Sequence, residues 1–167
     1  YKGKKGKWNN TDFYQLGYAY YQQKDYENAI TQFNKIIDGN DAVAQNAYYH
    51  LAESYLKTDK KQQALNAFKK ASEMEFEDAY LNYAKLSYEI GNPYQSVPEI
   101  MNAYLAKYPN TSYKQEINTL LISSYITSKN YKEALVLLEK SKSPENKLAY
   151  QKVTFYRGLE LYTDGDF

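Results

Sequence analysis

Residues 51–71 read LAESYLKTDKKQQALNAFKKA, and in this stretch small and large apolar residues stand at fixed offsets from each other. A Leu-Ala pair is followed by a tyrosine, then by a polar segment without glycine or proline, and then by an alanine and a phenylalanine. Residues 16–36 read LGYAYYQQKDYENAITQFNKI and repeat this order. The stretch is therefore one copy of an internal repeat, and the period of that repeat decides the fold.

Five copies can be aligned on one large residue, which falls at positions 20, 55, 88, 125 and 161, so the steps are 35, 33, 37 and 36 residues. Copy three is the least regular, because Lys85 takes the place of the small residue and Val97 that of the alanine, with Met101 following. Copy five has Gly158, Leu161 and Phe167. The predicted repeat-packing residues are Leu16, Gly17, Tyr20, Ala29, Phe33, Leu51, Ala52, Tyr55, Ala64, Phe68, Tyr125, Ala134 and Leu138.

This chain resembles the tetratricopeptide repeat (TPR) family, whose L-G/A-x-x-Y, A and F pattern is clearest in copies one, two and four. The resemblance implies an all-α, right-handed α-solenoid of stacked helical hairpins with about four and a half repeats. A hairpin cannot bury its apolar face alone, so small residues let its two helices approach while large ones fill the gap to the next hairpin. Residues 1–9 are expected to form a basic leader and 10–167 the array. The repeats are predicted near 10–43, 45–77, 78–110, 115–147 and, truncated, 151–167; the apolar last copy suggests a fragment of a longer protein.

Turn and cap signals place the helices. Gly39 is predicted to end a helix in a left-handed conformation. Ser96 and Glu99 form a capping box with a proline in the first turn, and Ser112 with Gln115 is predicted to cap the following helix. No sustained alternation typical of strands is present. The predicted helices are 11–23, 26–38, 42–57, 60–73, 77–90, 96–107, 112–128, 131–141 and 145–163.

The composition argues against several functions. A formal net charge of +1 provides no strong field for nucleic acid or an anionic membrane. No apolar run is long enough to span a bilayer, and the chain has no cysteine for disulfide or thiolate chemistry. The four lysines of YKGKKGKW are interpreted as a solvated leader rather than as a phosphate-binding arm. We therefore expect a protein or peptide partner, with no nucleic acid and no direct membrane insertion.

A catalytic or metal site is not expected. His50 is the only histidine, and we interpret it as a partly buried packing residue because no spacing suggests an orienting acid. The acidic run at Glu73, Glu75, Glu77 and Asp78 reads as a solvated face near a helix start rather than as a calcium site. No glycine-rich phosphate loop is present. The sequence thus predicts no enzyme activity, no cofactor and no metal.

A binding surface is the remaining expectation, on the concave face lined by the first helix of each hairpin. Tyrosine offers a wide contact area with few rotors and a hydroxyl for a peptide carbonyl. The 21 tyrosines can equally reflect an AT-rich genome, and both interpretations stay open. The cationic clamp that binds C-terminal carboxylates in chaperone-adaptor TPR proteins is not matched here, since the equivalent positions carry mainly aromatic residues. The predicted groove residues are Tyr14, Tyr18, Tyr21, Asn46, Tyr49, Glu53, Asn82 and Leu86.

A second resemblance concerns residues 103–113, AYLAKYPNTSY, which look like the bacterial envelope subgroup of the family. That subgroup includes the TolA-binding periplasmic protein and the lipoprotein of the outer-membrane β-barrel assembly machinery. The resemblance implies a non-enzymatic scaffold that is periplasmic or associated with the outer membrane. The alternative is a sensory or regulatory module, in the cytoplasm, attached to a kinase or DNA-binding domain.

Overall fold

The computed structural model describes residues 6–36, 39–140 and 144–164, and these residues form nine α-helices and no strand. The all-α class expected from the repeat pattern is confirmed. The helices are α1 (Asn10–Gln22), α2 (Tyr26–Phe33), α3 (Ala42–Lys57), α4 (Lys61–Ser72), α5 (Glu77–Ile90), α6 (Val97–Lys107), α7 (Lys114–Thr127), α8 (Tyr131–Glu139) and α9 (Pro144–Thr163). Phe167 of copy five and residue 38, the predicted end of the second helix, lie outside the described residues.

The helices divide into two compact units, residues 1–91 with α1 to α5 and residues 92–167 with α6 to α9. In the first unit, α1 packs on α2 and α3 packs on α4, while α3 also contacts α1 and α2. In the second unit, α7 packs on α6 and α8, and α8 packs on α9. Helices adjacent in sequence are thus neighbours in space within each unit, as a hairpin array requires.

The hairpins of the first unit close on small residues. Gly17, Ala29, Ala52 and Ala64 are all buried. Phe33 and Phe68 fill the remaining space, each with 1% of its surface exposed. The spacing of small and large residues therefore has a packing cause in copies one and two.

Three hairpins share the same turn between their helices. Lys24, Asp59 and Lys129 have φ values of 61°, 58° and 62°, in the left-handed region. The amide of the following residue donates to the carbonyl of Tyr20, Tyr55 or Tyr125, at 2.9, 2.8 and 2.7 Å respectively. This is the long hydrogen bond of a Schellman motif. The repeated tyrosine thus marks the last turn of each first helix.

Copy three is in a different register from the one predicted. Each first helix buries an adjacent pair of residues, namely 16–17, 51–52 and 121–122 in the regular copies. Helix α5 buries two such pairs, Tyr83–Ala84 and Leu86–Ser87, and the first of them has the alanine that matches Gly17 and Ala52. Lys85 and Tyr88 are exposed, so the assignment of these two residues to packing positions was wrong by one residue. A lysine cannot be buried without a partner, which forces Ala84 into the small position.

Three local predictions also need correction, and one is confirmed. Helix α2 ends at Phe33, well before residue 38, and α7 begins at Lys114 without a side-chain cap from Ser112. Gly39 does not have a positive φ; instead a Cβ at that position would lie 2.5 Å from Ala44 Cβ. Glycine is therefore required there by a close approach. The capping box of Ser96 and Glu99 is present.

In the second unit, the core of α7 to α9 contains Ile122, Ala134, Leu138 and Val153. Helix α6 contributes Tyr104, which is fully buried and whose hydroxyl lies 2.8 Å from Thr111 Oγ1. Among the described residues, no helix combines the length and the apolar character needed to cross a bilayer.

Candidate functional site

The site is an aromatic cluster on the first helices of the first unit. Tyr14, Tyr18 and Tyr21 lie on one face of α1 because residues spaced by four and three share a helical face. The ring centroids of Tyr14 and Tyr18 are 5.9 Å apart and those of Tyr18 and Tyr21 are 6.0 Å apart, with interplanar angles of 15° and 16°. These three half-buried rings form a stacked row along α1.

Helix α3 faces this row with His50. The imidazole centroid lies 4.8 Å from the ring of Tyr21, 5.2 Å from that of Tyr18 and 6.3 Å from that of Tyr14. Tyr49 meets His50 edge-on at 5.7 Å. His50 is thus enclosed by tyrosines from both helices, and only 18% of its side chain is exposed.

Glu53 completes the cluster, one helical turn after His50. Its Oε2 atom accepts a hydrogen bond from the Tyr21 hydroxyl at 2.8 Å and lies 3.0 Å from His50 Nδ1. An ionised carboxylate has no proton to donate, so the proton of the second bond belongs to Nδ1 of the imidazole. We call the six residues Tyr14, Tyr18, Tyr21, Tyr49, His50 and Glu53 the tyrosine cluster.

The environment keeps this carboxylate ionised. Burial alone would raise the pKa of Glu53, but the hydrogen bonds from His50 and Tyr21 outweigh it and hold that pKa below its ordinary value. Burial, with the hydrogen bond to Glu53 as the second cause, raises the pKa of Tyr21. At neutral pH the cluster therefore contains a neutral phenol that donates to a charged carboxylate.

The structure brings together five of the residues predicted to line a groove, Tyr14, Tyr18, Tyr21, Tyr49 and Glu53. Asn46 and Asn82 are half-buried, and each amide donates to a backbone carbonyl of its own helix, those of Ala42 and Asp78; Asn82 also hydrogen-bonds the side chain of Tyr49. Leu86 is only 5% exposed and belongs to the core, so its placement in the groove was wrong. The one-residue shift of copy three puts the exposed Lys85 in its place.

His50 is the residue whose surroundings the sequence argument missed. It is indeed partly buried, but an acid does lie in reach, three residues later on the same helix. That spacing brings side chains together on a helix and was visible in the sequence. The acidic run behaves otherwise: Glu73 pairs with Lys69 at 2.6 Å, and Glu77 and Asp78 lie in the first turn of α5.

The cluster has the parts of a binding surface. It combines stacked aromatic faces, a charged acceptor and half-exposed side chains on two rigid helices. A catalytic set needs a nucleophile beside its base, and the neighbours of His50 in the cluster are phenols and one carboxylate. Among the described residues, no group of three or more His, Asp or Glu side chains is arranged to hold a metal ion.

Comparisons with known proteins agree with the repeat architecture. Residues 4–71, which span the first two hairpins, match the family model of anaphase-promoting complex, cyclosome, subunit 3. The crystal structure of MamA aligns with a TM-score of 0.58 at 18% identity, over 92% of this chain and 81% of MamA. A putative kinesin light chain of Podosopora anserina with nearly identical TPR-like repeats aligns with a TM-score of 0.56 at 15% identity. That alignment covers 93% of this chain and 90% of the other. A search of curated protein sequences found no match.

The fold is thus that of an all-helical repeat protein built from hairpins. Its fold is TPR-like, similar to that of the TPR-like repeats of the putative kinesin light chain. Repeats of this kind generally mediate protein–protein interaction and generally belong to non-enzymatic scaffolds.

Proposed function

We propose that the chain is a non-enzymatic interaction scaffold and that the tyrosine cluster binds a peptide or an extended segment of a partner protein. The observation that carries this proposal is the stacked row of Tyr14, Tyr18 and Tyr21 beside Glu53 on the first-helix face. A rigid row of rings offers contact area without freezing many rotors. Tyrosines placed by codon bias alone have no reason to meet on one face around one carboxylate.

Packing limits which side chains can be used in a test. Tyr49 meets Phe76 at 4.8 Å and Phe68 edge-on at 5.9 Å, so its removal also disturbs the hairpin core. The ring of Tyr18, in contrast, contacts Tyr14, Tyr21 and His50, which all belong to the cluster. Tyr18 is therefore the better position for a substitution that leaves the core intact.

The test is site-directed photo-crosslinking. A benzoyl-phenylalanine at residue 18 should capture a defined partner segment from cell extract, identified by mass spectrometry. The same group at residue 94 is the control, because Tyr94 is 61% exposed and lies outside the first unit. The captured segment is then synthesised and titrated calorimetrically against the wild type and Tyr18→Ala. The proposal is wrong if the same segments are captured at both positions, or if Tyr18→Ala binds the synthesised segment with the affinity of the wild type.

We also propose that this scaffold works in the bacterial envelope, on the resemblance of residues 103–113. In the structure this segment joins α6 to α7: the ring of Tyr104 lies 5.4 Å from that of Tyr108 at a tilt of 48°, and the Tyr104 hydroxyl contacts Thr111. Tyr104 and Tyr108 have a packing role, so the support for an envelope location is the resemblance itself. Fractionation of the source cells with an antibody to this chain tests it. Recovery with the periplasm or outer membrane is expected, whereas a cytoplasmic product would favour the regulatory alternative.

A further inference from the structure

We infer that the tyrosine cluster recognises an arginine side chain that projects from the bound segment. This inference rests on the proposed function and names the chemistry of its ligand. Three features of the cluster carry it, namely the flat row of rings, the ionised carboxylate and the absence of arginine from the first unit.

The first feature is the stacked row. The faces of Tyr14, Tyr18 and Tyr21 are nearly parallel, and such faces carry the negative part of the ring quadrupole. A cation over a tyrosine face is attracted to it, and a planar guanidinium can also stack on the ring. The row therefore offers successive positions for a flat cation.

The second feature is the charge beside the row. Glu53 is 29% exposed, and its Oε2 is held in place by the Tyr21 hydroxyl and His50 Nδ1. Lys57 on the next turn of α3 acts on Glu53, and Asp78 adds a second carboxylate near Tyr49. The rings therefore have carboxylates on the side of Glu53 and on the side of Tyr49. A charge-assisted hydrogen bond to a guanidinium suits a carboxylate that its neighbours have already oriented.

The third feature is the supply of cations within the chain. Its one arginine, Arg157, is ion-paired with Glu160 in α9 of the second unit. The first unit thus has rings and a carboxylate suited to a guanidinium and no guanidinium of its own. Lysine is the weaker ligand here, because a strongly hydrated ammonium neither stacks nor binds a carboxylate in a bidentate manner.

The test uses three capped peptides of one sequence that carry three arginines, three lysines or three citrullines. Citrulline keeps the shape of arginine and removes its charge. Because His50 is the only histidine, its Cε1–H resonance in an NMR titration reports on the cluster alone. We expect the arginine peptide to shift that resonance to saturation and to bind at least about tenfold more tightly than the citrulline peptide, with the lysine peptide between them.

Two variants and a control make the outcome decisive. Glu53→Gln should weaken binding of the arginine peptide by about tenfold or more. Tyr18→Leu keeps an apolar side chain but removes the aromatic ring, and it should weaken binding of this peptide to the same extent. Glu133→Gln, an exposed carboxylate on α8, should change nothing. Equal binding of the arginine and citrulline peptides, full affinity in Glu53→Gln, or an unperturbed His50 signal would each overturn the inference. If Glu53→Gln does not fold, the affinity of Tyr18→Leu for the arginine peptide tests the inference, and a thermal melt shows that this variant is folded.

The inference can fail while the proposed function stands. A segment crosslinked at residue 18 that needs Tyr18 but binds Glu53→Gln as well as wild type would show a peptide groove without arginine recognition. If no segment is captured at residue 18 and the peptides also fail, both proposals are wrong.

Discussion

The ring of Phe33 lies so close to Gly17 that a Cβ built on residue 17 would stand 2.7 Å from Phe33 Cε1 and 2.8 Å from Cδ1. Phe33 is only 1% exposed, so its ring is confined on all sides. Helices α1 and α2 therefore meet at a distance that only glycine permits. This contact explains why the first small position of copy one is a glycine.

Gly17→Ala should destabilise the first unit by about 1–3 kcal/mol, because overpacking outweighs the better helix propensity of alanine. Gly158→Ala is the matched control: Gly158 also lies within a helix, and no atom stands within 4 Å of a Cβ built there. That change should stabilise α9 by about 0.5–1 kcal/mol. Urea unfolding of both variants measures the difference, and equal effects from the two substitutions would contradict the close contact.

Lys129→Gly should stabilise the protein by about 0.5–1 kcal/mol, although glycine usually weakens structured segments. Lys129 holds a φ of 62° in the turn between α7 and α8, where a side chain is strained and glycine is not. Lys152→Gly, at an exposed position inside α9, should instead cost about 1 kcal/mol. Thermal melts compare the two, and a loss of stability in Lys129→Gly would show that this turn is not strained.

The sequence predicts most of this fold because hairpin packing has a strict period. Helices α3 and α5 begin and end at the predicted residues, 42–57 and 77–90. The early end of α2 at Phe33 was not visible, because Asn34 and Lys35 are compatible with a helix and only the tertiary turn excludes them. The predicted register of copy three was displaced by one residue because Tyr88 matches the repeated tyrosine in residue type, whereas the buried pair is Tyr83 and Ala84.

The candidate site was predicted only as separate residues. Helical periodicity indicates that Tyr14, Tyr18 and Tyr21 share a face, and that part needs one helix alone. That face meets His50 and Glu53 only because α1 packs against α3. The spacing of residues within one helix does not predict how two helices pack. The pair of His50 with Glu53 could have been found, since residues three apart on a helix are neighbours.

Ala64→Trp should overpack the second hairpin and destabilise it by about 1–3 kcal/mol. Ala64 has no exposed surface and lies against the core of α3 and α4, so an indole has no space without movement of both helices. Gln62→Trp places the same ring on the exposed side of α4 and should change stability by less than about 0.5 kcal/mol. Differential scanning calorimetry gives both values. A melting curve for Ala64→Trp that matches the control would place residue 64 outside the core.

The stability contributed by Glu53 should depend on pH in a defined direction. Hydrogen bonds from His50 and Tyr21 overcome burial and place the pKa of Glu53 in the folded protein below the value of 4.5 for an unperturbed group. A carboxyl group whose folded pKa is lowered stabilises the fold fully above its unfolded pKa, and this contribution is lost as the pH falls through the folded pKa.

Glu53→Gln keeps the shape of the side chain and removes its titration. The wild type should therefore be more stable than Glu53→Gln near pH 7, and the difference should shrink below about pH 4.5. Urea unfolding of both proteins between pH 3 and 7 measures it. A difference that stays constant to pH 3 would mean that His50 and Tyr21 do not hold the ionised carboxylate in the way the geometry indicates.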